Sequence, residues 1–115
     1  MTENQYQAGL IKRLEARFPG CVILKNDAGL MPGILDLTVL YRDRWALLEV
    51  KRSAVAAVRP NQDYYVQQLD EMSFAAYIYP ENEEEVLNAL QQAFEPPRRT
   101  RVSKSKPVSL GKLYA

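Results

Sequence analysis

Residues 32–52 read PGILDLTVLYRDRWALLEVKR, and this stretch decides the fold. Two apolar runs, 34–41 and 45–51, flank the short charged segment Arg42-Asp43-Arg44. Runs rich in aliphatic and aromatic residues on either side of a short turn predict an antiparallel β-hairpin. The hairpin sets the register of the rest of the sheet, because one face of each strand must be buried.

Each predicted strand contains one carboxylate, Asp36 in the first and Glu49 in the second. Counting from the turn predicts that the two acids are neighbours across the ladder, within one residue of register. Like charges opposed on a sheet repel each other, and half-buried carboxylates also lose hydration. A divalent cation between the acids would relieve this conflict. Alternatively, Arg42, Arg44 or Arg52 pairs with one acid on a solvated face, and the residues alone leave both interpretations open.

The remaining segments predict a small mixed sheet flanked by helices. Apolar residues at three- and four-residue spacing predict helices, and short apolar runs between Pro or Gly residues predict strands. The predicted elements are a helix over 2–18, a strand over 21–24, a loop over 26–33, the hairpin, a connector over 53–58, a helix from 60 through 72, a strand over 74–79 and a helix from 83. The sequence therefore predicts an α/β fold in the order α-β-β-β-α-β-α, within a domain of residues 1–95.

Several polar side chains continue the apolar faces of these elements. Lys51 alternates with Glu49 along one strand, so both lie on the same face of the sheet. Glu3 and Gln7 extend the apolar stripe of the first helix, and Gln62 extends the stripe of the helix after the hairpin. Polar residues that continue a buried stripe either lie past the end of the core or point into a site. Together with Asp36 on the other hairpin strand, four elements contribute such groups, so the sequence favours a shared polar site.

Composition narrows the chemistry available to that site. The chain has 115 residues, a single cysteine and no histidine. Cys21 cannot form an internal disulfide, and zinc sites of the Cys/His kind, His-based triads and His general bases are excluded. Catalysis would have to use carboxylates, lysine, tyrosine or a hard metal ion.

No apolar run is long enough to span a membrane, and the polar N-terminus does not resemble a signal peptide, so we expect an intracellular, cytoplasmic protein.

Charge is distributed unevenly along the chain. Residues 96–115 carry six basic side chains and no acid, whereas residues 1–95 carry nine basic and fourteen acidic ones. A basic terminus rich in Ser and Pro is typical of an arm that meets an anion. The residues that predict contact with nucleic acid are Arg98, Arg99, Arg101, Lys104 and Lys106. A solubilising terminus, or an arm that packs on its own acidic body, is an equally good interpretation.

The pattern of acids and lysine resembles the PD-(D/E)xK nuclease superfamily. Its motif, an Asp at the start of one strand and Glu-x-Lys on the next, matches Asp36 and Glu49-Val50-Lys51. Within it, the chain is similar to the VRR-NUC group, which has an acid and a glutamine in the first helix, a Gly-x-x-Asp strand entry and a glutamine on the later helix. The matching positions are Glu3, Gln7, Gly33 and Gln62. The resemblance spans roughly residues 3–79; the residue before the strand Asp, commonly Pro in the family, is here Leu35, and the proline stands at 32.

The resemblance implies a restriction-endonuclease-like fold and a site for Mg²⁺ or Mn²⁺. Asp36, Glu49 and the backbone carbonyl of Val50 would hold the ion, with Glu3 as a further ligand, directly or through water. All are oxygen ligands, as such ions require. The metal would make hydroxide available near neutral pH without histidine. Lys51 would orient that water or stabilise charge in the transition state.

The resemblance also implies roles for residues around this centre. Gln62, grouped with the catalytic residues, and Gln7, a supporting residue, would position the site or the DNA backbone. The loop between the first two strands is a candidate DNA contact, since its glycines allow close approach. The loop residues predicted to contact DNA are Lys25, Asn26, Gly29 and Gly33.

Together these implications predict a metal-dependent endonuclease that hydrolyses DNA phosphodiester bonds, with four-way branched DNA as its preferred substrate. A homodimer would supply two active sites, and either the apolar last helix or the terminal VSLGKLYA could provide its self-complementary patch. A general nickase or exonuclease is an alternative enzyme. A non-catalytic nucleic-acid-binding protein that keeps the fold, or an inert interaction domain, are alternatives from other classes.

Overall fold

The computed structural model describes residues 1–95, and these form one mixed four-stranded sheet with helices on both faces. The elements are α1 (Glu3–Arg17), β1 (Val22–Lys25), β2 (Leu37–Tyr41), β3 (Arg44–Val50), α2 (Gln62–Met72), β4 (Ala75–Ile78) and α3 (Glu83–Phe94). The predicted small α/β domain with a mixed sheet flanked by helices is therefore confirmed. The basic arm and the VSLGKLYA segment lie outside the described residues.

The strands follow the spatial order β1-β2-β3-β4. The pairs β1–β2 and β2–β3 are antiparallel, whereas β4 runs parallel to β3. Only two residues, Arg42 and Asp43, connect β2 to β3, because Arg44 already pairs with Tyr41. The turn is tighter than the predicted three-residue segment, and Arg42 adopts a left-handed backbone with φ of 58° to close it.

Helix α1 begins at a capping box and buries one apolar stripe. The Thr2 hydroxyl accepts a hydrogen bond from the Gln5 N–H at 3.1 Å, and the Gln5 side chain accepts one from the Thr2 N–H at 2.9 Å. These reciprocal bonds satisfy two N–H groups that a helix start leaves without partners. The buried residues are Tyr6, Leu10, Leu14 and the following Phe18. The stripe thus begins at Tyr6, and the predicted stripe members Glu3 and Gln7 are half-buried at its flank.

Helices α1 and α3 cover one face of the sheet and are joined through Glu83. Its carboxylate accepts a hydrogen bond from the Tyr6 hydroxyl at 2.7 Å and two from the Arg13 guanidinium at 2.6 and 2.9 Å. The apolar residues of α3 pack into the core beneath this contact: Val86, Leu87, Leu90 and Phe94. Because this stripe is buried within a single chain, it does not form an exposed patch for a second copy; the homodimer itself stays a prediction.

Helix α2 covers only half of the opposite face. Its Tyr65, Val66 and Leu69 pack on Leu35, Leu47 and Ala75. The helix lies over β3 and β4, so among residues 1–95 no helix covers the same face of β1 and β2. Within residues 1–95, no helix has the length and apolar character needed to cross a lipid bilayer.

Two glycines with positive φ allow a controlled test of packing near α2. Gly33 (φ 91°) lies so close to the start of α2 that an added Cβ would be 2.8 Å from Cβ of Asn61, whereas Gly20 (φ 90°) has open space around it. Both Gly→Ala changes place a side chain in the left-handed region, at a cost of about 1–2 kcal/mol. We expect Gly33→Ala to lower the free energy of unfolding well beyond Gly20→Ala in urea titrations. Equal losses would show that the contact with α2 is dispensable.

Candidate active site

The β2–β3 register places Asp36 opposite Glu49, one residue before β2 begins. Leu37 pairs with Leu48, so the next pair outward joins the two acids. The Asp36 N–H donates to Glu49 Oε1 at 3.2 Å, and the Val50 N–H donates to Asp36 Oδ2 at 2.9 Å. Each carboxylate is therefore held by the backbone of the opposing segment. The predicted proximity of the two acids across the ladder is confirmed.

A buried network holds the second oxygen of Glu49. The Gln62 amide donates to Glu49 Oε2 at 2.6 Å and accepts from Lys51 Nζ at 2.9 Å. Lys51 Nζ also lies 3.5 Å from Glu49 Oε2. The relative exposures of Glu49, Lys51 and Gln62 are only 2%, 6% and 2%. Three polar side chains from two separate elements of the sequence thus form one closed, buried triangle.

Lys51 also fixes the connector between β3 and α2. Its ammonium donates to the Ala57 carbonyl at 2.9 Å, and the Arg59 N–H donates to Gln62 Oε1 at 3.0 Å. The connector, whose structure the sequence did not define, therefore lies against the buried network. Since three acceptors surround Lys51 Nζ, its position is set by hydrogen bonds as well as by charge.

The first turn of α2 is positioned from two sides. Asn61, directly before the helix, has a left-handed backbone (φ 72°) and contacts Gly33 of the loop that leads to Asp36. From the other side, the Tyr77 hydroxyl of β4 donates to the Asp63 carboxylate. Tyr77 is also the register partner of Glu49 in the parallel β3–β4 pair. Sequence reasoning missed this Tyr77–Asp63 bond, because it depends on a parallel register that no turn defines.

Burial raises the pKa of both acids, so each holds its proton more tightly than an ordinary carboxyl group. Burial, followed by the charge of Asp36, raises the pKa of Glu49 from 4.5 to about 7, although Lys51 and Gln62 oppose the shift. Burial also raises the pKa of Asp36, against the Val50 N–H and the charges of Lys51 and Arg59. The charged form of the pair is therefore destabilised in the metal-free protein. A neighbouring cation would favour that charged form.

The donor set fits a hard divalent ion that keeps part of its water. Asp36 and Glu49 supply carboxylate oxygens, and Mg²⁺ is commonly bound through one or two carboxylates with water completing its shell. Among residues 1–95, no three Asp, Glu, Cys or His side chains form a single metal-binding group. Glu3 is thus not placed with the pair as a direct third carboxylate. In the same range, no hydrogen bond joins Glu3 or Gln7 to this network.

The loop predicted to contact DNA divides into two kinds of residue. Asn26 is used internally, since its amide donates to the Leu35 carbonyl at 2.8 Å and accepts from the Thr38 hydroxyl at 2.9 Å. Gly33 faces Asn61 rather than open space. Lys25 and Gly29 are exposed. Arg98, Arg99, Arg101, Lys104 and Lys106, the predicted contacts in the basic arm, lie outside the described residues.

The fold and the site define an α/β domain with a buried, lysine-paired carboxylate centre at one end of a hairpin. No protein-family model, curated protein or solved structure matches the chain. Its function must therefore be inferred from the chemistry of this centre.

The raised pKa of Glu49 predicts that acidification stabilises the metal-free protein. Because the folded-state pKa of about 7 exceeds the ordinary 4.5, this contribution is fully present below pH 4.5 and is lost as the pH rises through about 7. The loss amounts to about 3 kcal/mol at most. We expect urea titrations in chelator to show this decline in wild type and a flatter profile in Glu49→Gln. The exposed-site variant Glu85→Gln should keep the wild-type profile, and an unchanged profile in Glu49→Gln would contradict the assignment.

Proposed function

We propose that the protein is a metal-dependent nuclease that hydrolyses phosphodiester bonds of DNA at the Asp36–Glu49 centre. The observation that carries the proposal is the juxtaposition of two mutually destabilising carboxylates with a buried lysine. Such a centre weakens the metal-free fold, and perturbed carboxylates of this kind are typical of sites that bind metal or move protons. Paired acids with a lysine are the groups needed to hold a hard cation next to a phosphate.

The fold supports the same proposal at a coarser level. We infer a restriction-endonuclease-like fold, because a helix, an antiparallel three-stranded meander, a crossover helix and a parallel fourth strand follow one another along the chain. The resemblance to the VRR-NUC group also assigns Asp36, Glu49 and Lys51 to the positions that meet in space here. Gln62, the later-helix glutamine of that resemblance, reaches the same centre.

The roles of the residues follow from their contacts. Asp36, Glu49 and the Val50 carbonyl would hold Mg²⁺ or Mn²⁺, which would lower the pKa of a bound water and polarise a phosphate oxygen. Gln62 fixes Glu49 Oε2 and so orients the carboxylate. Lys51 lies 3.5 Å from the same oxygen and compensates one of the two negative charges. The protein thus keeps one uncompensated negative charge for a divalent ion to neutralise.

We further propose branched DNA as the substrate and a homodimer as the active form. Cutting a four-way junction symmetrically requires two sites on opposed strands, and a two-fold dimer of this small domain supplies them. Asp36 is the less enclosed member of the centre, being half-buried where Glu49 is fully buried. It therefore marks the side from which a phosphate would approach.

Isosteric substitutions should separate catalysis from folding. Because Glu49 and Lys51 are buried and bonded, alanine would leave a cavity and an unpaired charge, at a cost of about 3–5 kcal/mol. We expect Asp36→Asn, Glu49→Gln and Lys51→Met to reduce cleavage at least about a hundredfold, as loss of electrostatic stabilisation commonly does. The assay is a panel of labelled linear, flapped and four-way DNA with Mg²⁺, with Mn²⁺ or with chelator.

The control for this panel is Asp43→Asn, which changes an exposed carboxylate in the turn of the same hairpin. It should cleave at the wild-type rate. Full activity in any of the three site variants, or cleavage by wild type in chelator, would refute the site. Metal-independent binding of all DNA forms without cleavage would favour the non-catalytic alternative, and equal cleavage of linear and branched DNA would leave a general nickase or exonuclease.

Metal binding should also be visible without DNA. A ligand that binds only the folded state stabilises it by about 2.7 kcal/mol at a hundredfold excess over its dissociation constant. We expect millimolar Mn²⁺ to raise the melting temperature of wild type and of Asp43→Asn by several degrees, and to leave Asp36→Asn unchanged. An equal rise in all three proteins would place the metal elsewhere.

A further inference from the structure

Within residues 1–95, no strand pairs with the outer edge of β1. The direction of the backbone groups along this edge can be assigned residue by residue. The Asn26 N–H donates to the Asp36 carbonyl at 2.8 Å, so residue 26 points its backbone groups toward β2. In an antiparallel ladder this direction alternates with each residue. Val22 and Leu24 therefore also bond toward β2, whereas Ile23 and Lys25 direct their N–H and C=O groups away from the sheet.

The side chains of β1 are exposed where an inner strand would bury them. Val22 is 50% exposed and Leu24 is 47% exposed, on the face that α2 leaves uncovered. Next to them, Leu40 of β2 is 38% exposed. A strand edge with free backbone groups and apolar side chains is a template for pairing with another strand. The opposite edge of the sheet, β4, borders a pocket shared with Ala54, Ala56 and Val58 of the connector.

We propose that two copies of the chain pair antiparallel through β1 and join their sheets into one of eight strands. This interface deepens the homodimer of the proposed function, yet it rests on the strand edge alone. The two-fold axis passes midway between Ile23 of one copy and Ile23 of the second. Each Val22 then lies opposite Leu24 of the second copy. This register keeps buried and exposed faces continuous, because opposed residues share a face. A register shifted by one residue would place Ile23 opposite Leu24 of the second copy. Side chains from the buried face of one sheet would then lie beside side chains from the exposed face of the other.

The same register satisfies the free backbone groups. The two Ile23 residues exchange a pair of N–H···O=C bonds, and each Lys25 N–H donates to the Cys21 carbonyl of the second copy. The Cys21 N–H takes no part, since it already donates to the Phe18 carbonyl at 3.0 Å. Four backbone hydrogen bonds result, all from groups that face outward in the single chain.

Charge complementarity supports this pairing. Lys25 lies on the same face of β1 as Ile23 and Cys21, which is the face covered by α1. The Lys25 side chain is thereby placed opposite Cys21 of the second copy. Glu15 of α1 lies close enough to Cys21 for its charge to act on the thiol. Each Lys25 is thereby brought to the side of the second copy on which Glu15 lies, and the two-fold axis gives two such pairs of opposite charge. In this arrangement Lys25 has a protein partner instead of the predicted DNA contact.

The interface is small, which sets the expected affinity. Stable interfaces usually bury at least about 1,200 Å², more than a four-residue edge provides. We therefore expect a reversible dimer whose formation depends on protein concentration through the micromolar range. Sedimentation of the 115-residue chain should show the monomer mass of 13.1 kDa on dilution and approach twice that mass on concentration.

The charge pair is tested by reversal and exchange. Lys25→Glu and Glu15→Lys should each weaken dimerisation roughly tenfold, because two attractive pairs become repulsive. The double variant should restore it, and Glu71→Lys, an exposed glutamate of α2, should leave it unchanged. Failure of the double variant to recover would overturn the pairing, as would a wild-type chain that stays monomeric at all concentrations.

The register is tested by cross-linking in a Cys21→Ser background. Val22 and Leu24 of opposed copies form a pair without mutual hydrogen bonds, whose Cα atoms are about 4.5 Å apart and within reach of a disulfide. A mixture of Val22→Cys and Leu24→Cys chains should therefore cross-link under mild oxidation far more than either chain alone. Equal yields from a single variant, or none from the mixture, would overturn the register. Neither assay needs metal or DNA, so failure here leaves the nuclease proposal standing, and absence of cleavage leaves the interface standing.

Discussion

The amide of Gln62 joins two opposite charges that the fold has removed from water. Burying an ion pair costs free energy unless geometry and additional hydrogen bonds compensate for the lost hydration. Gln62 supplies those bonds, because one amide group donates to Glu49 while its oxygen accepts from Lys51. The rest of the site depends on this bridge. Helix α2 must begin at residue 62 in one position, and the tight contact at Gly33 and the Tyr77–Asp63 bond both fix that first turn.

The same centre is a point where local stability and the proposed function conflict. Leucine or valine at position 49 would extend the apolar face that Trp45 and Leu47 already form with α2. The chain instead buries a carboxylate opposite a second acid, and burial with that acid raises the pKa of Glu49 to about 7. Local rules are typically broken at functional sites and compensated elsewhere. Here the compensation is partial, since Lys51 neutralises one acid and leaves the pair with a net negative charge.

Much of this arrangement is encoded locally and could be predicted. The proximity of Asp36 and Glu49 follows from turn length and the two-residue period of a strand, which a short hairpin fixes without tertiary information. The buried face of α1 was predicted only in part. The predicted stripe and the observed one share Leu10, Leu14 and Phe18. They differ only in the first turns, where Tyr6 is buried and Glu3 is not.

Contacts between distant elements could not be read from the sequence. Tyr77 meets Asp63 because β4 is parallel to β3, and a parallel register is set by packing of the crossover helix rather than by a turn. Asn26 was predicted to contact DNA because it lies in a polar loop. Its side-chain amide instead forms hydrogen bonds with the Leu35 carbonyl and the Thr38 hydroxyl. Both cases involve polar side chains whose partners are more than eight residues away. Pattern reasoning assigns a face to such residues and cannot assign a partner.

The proposed β1 pairing gives the two centres a fixed relation. An axis perpendicular to the joined sheet leaves both copies of the Asp36–Glu49 centre on the same face. The centre lies between β2 and β3, three residues along the strands from the row of Ile23 and Val39. With strands about 4.8 Å apart and residues about 3.3 Å apart, the two centres are separated by roughly 25–30 Å before twist. This is less than one turn of duplex DNA, about 34–36 Å. Two sites at that spacing, facing one way and related by a two-fold axis, match the symmetry of a four-way junction, in which opposed strands must be cut as an equivalent pair.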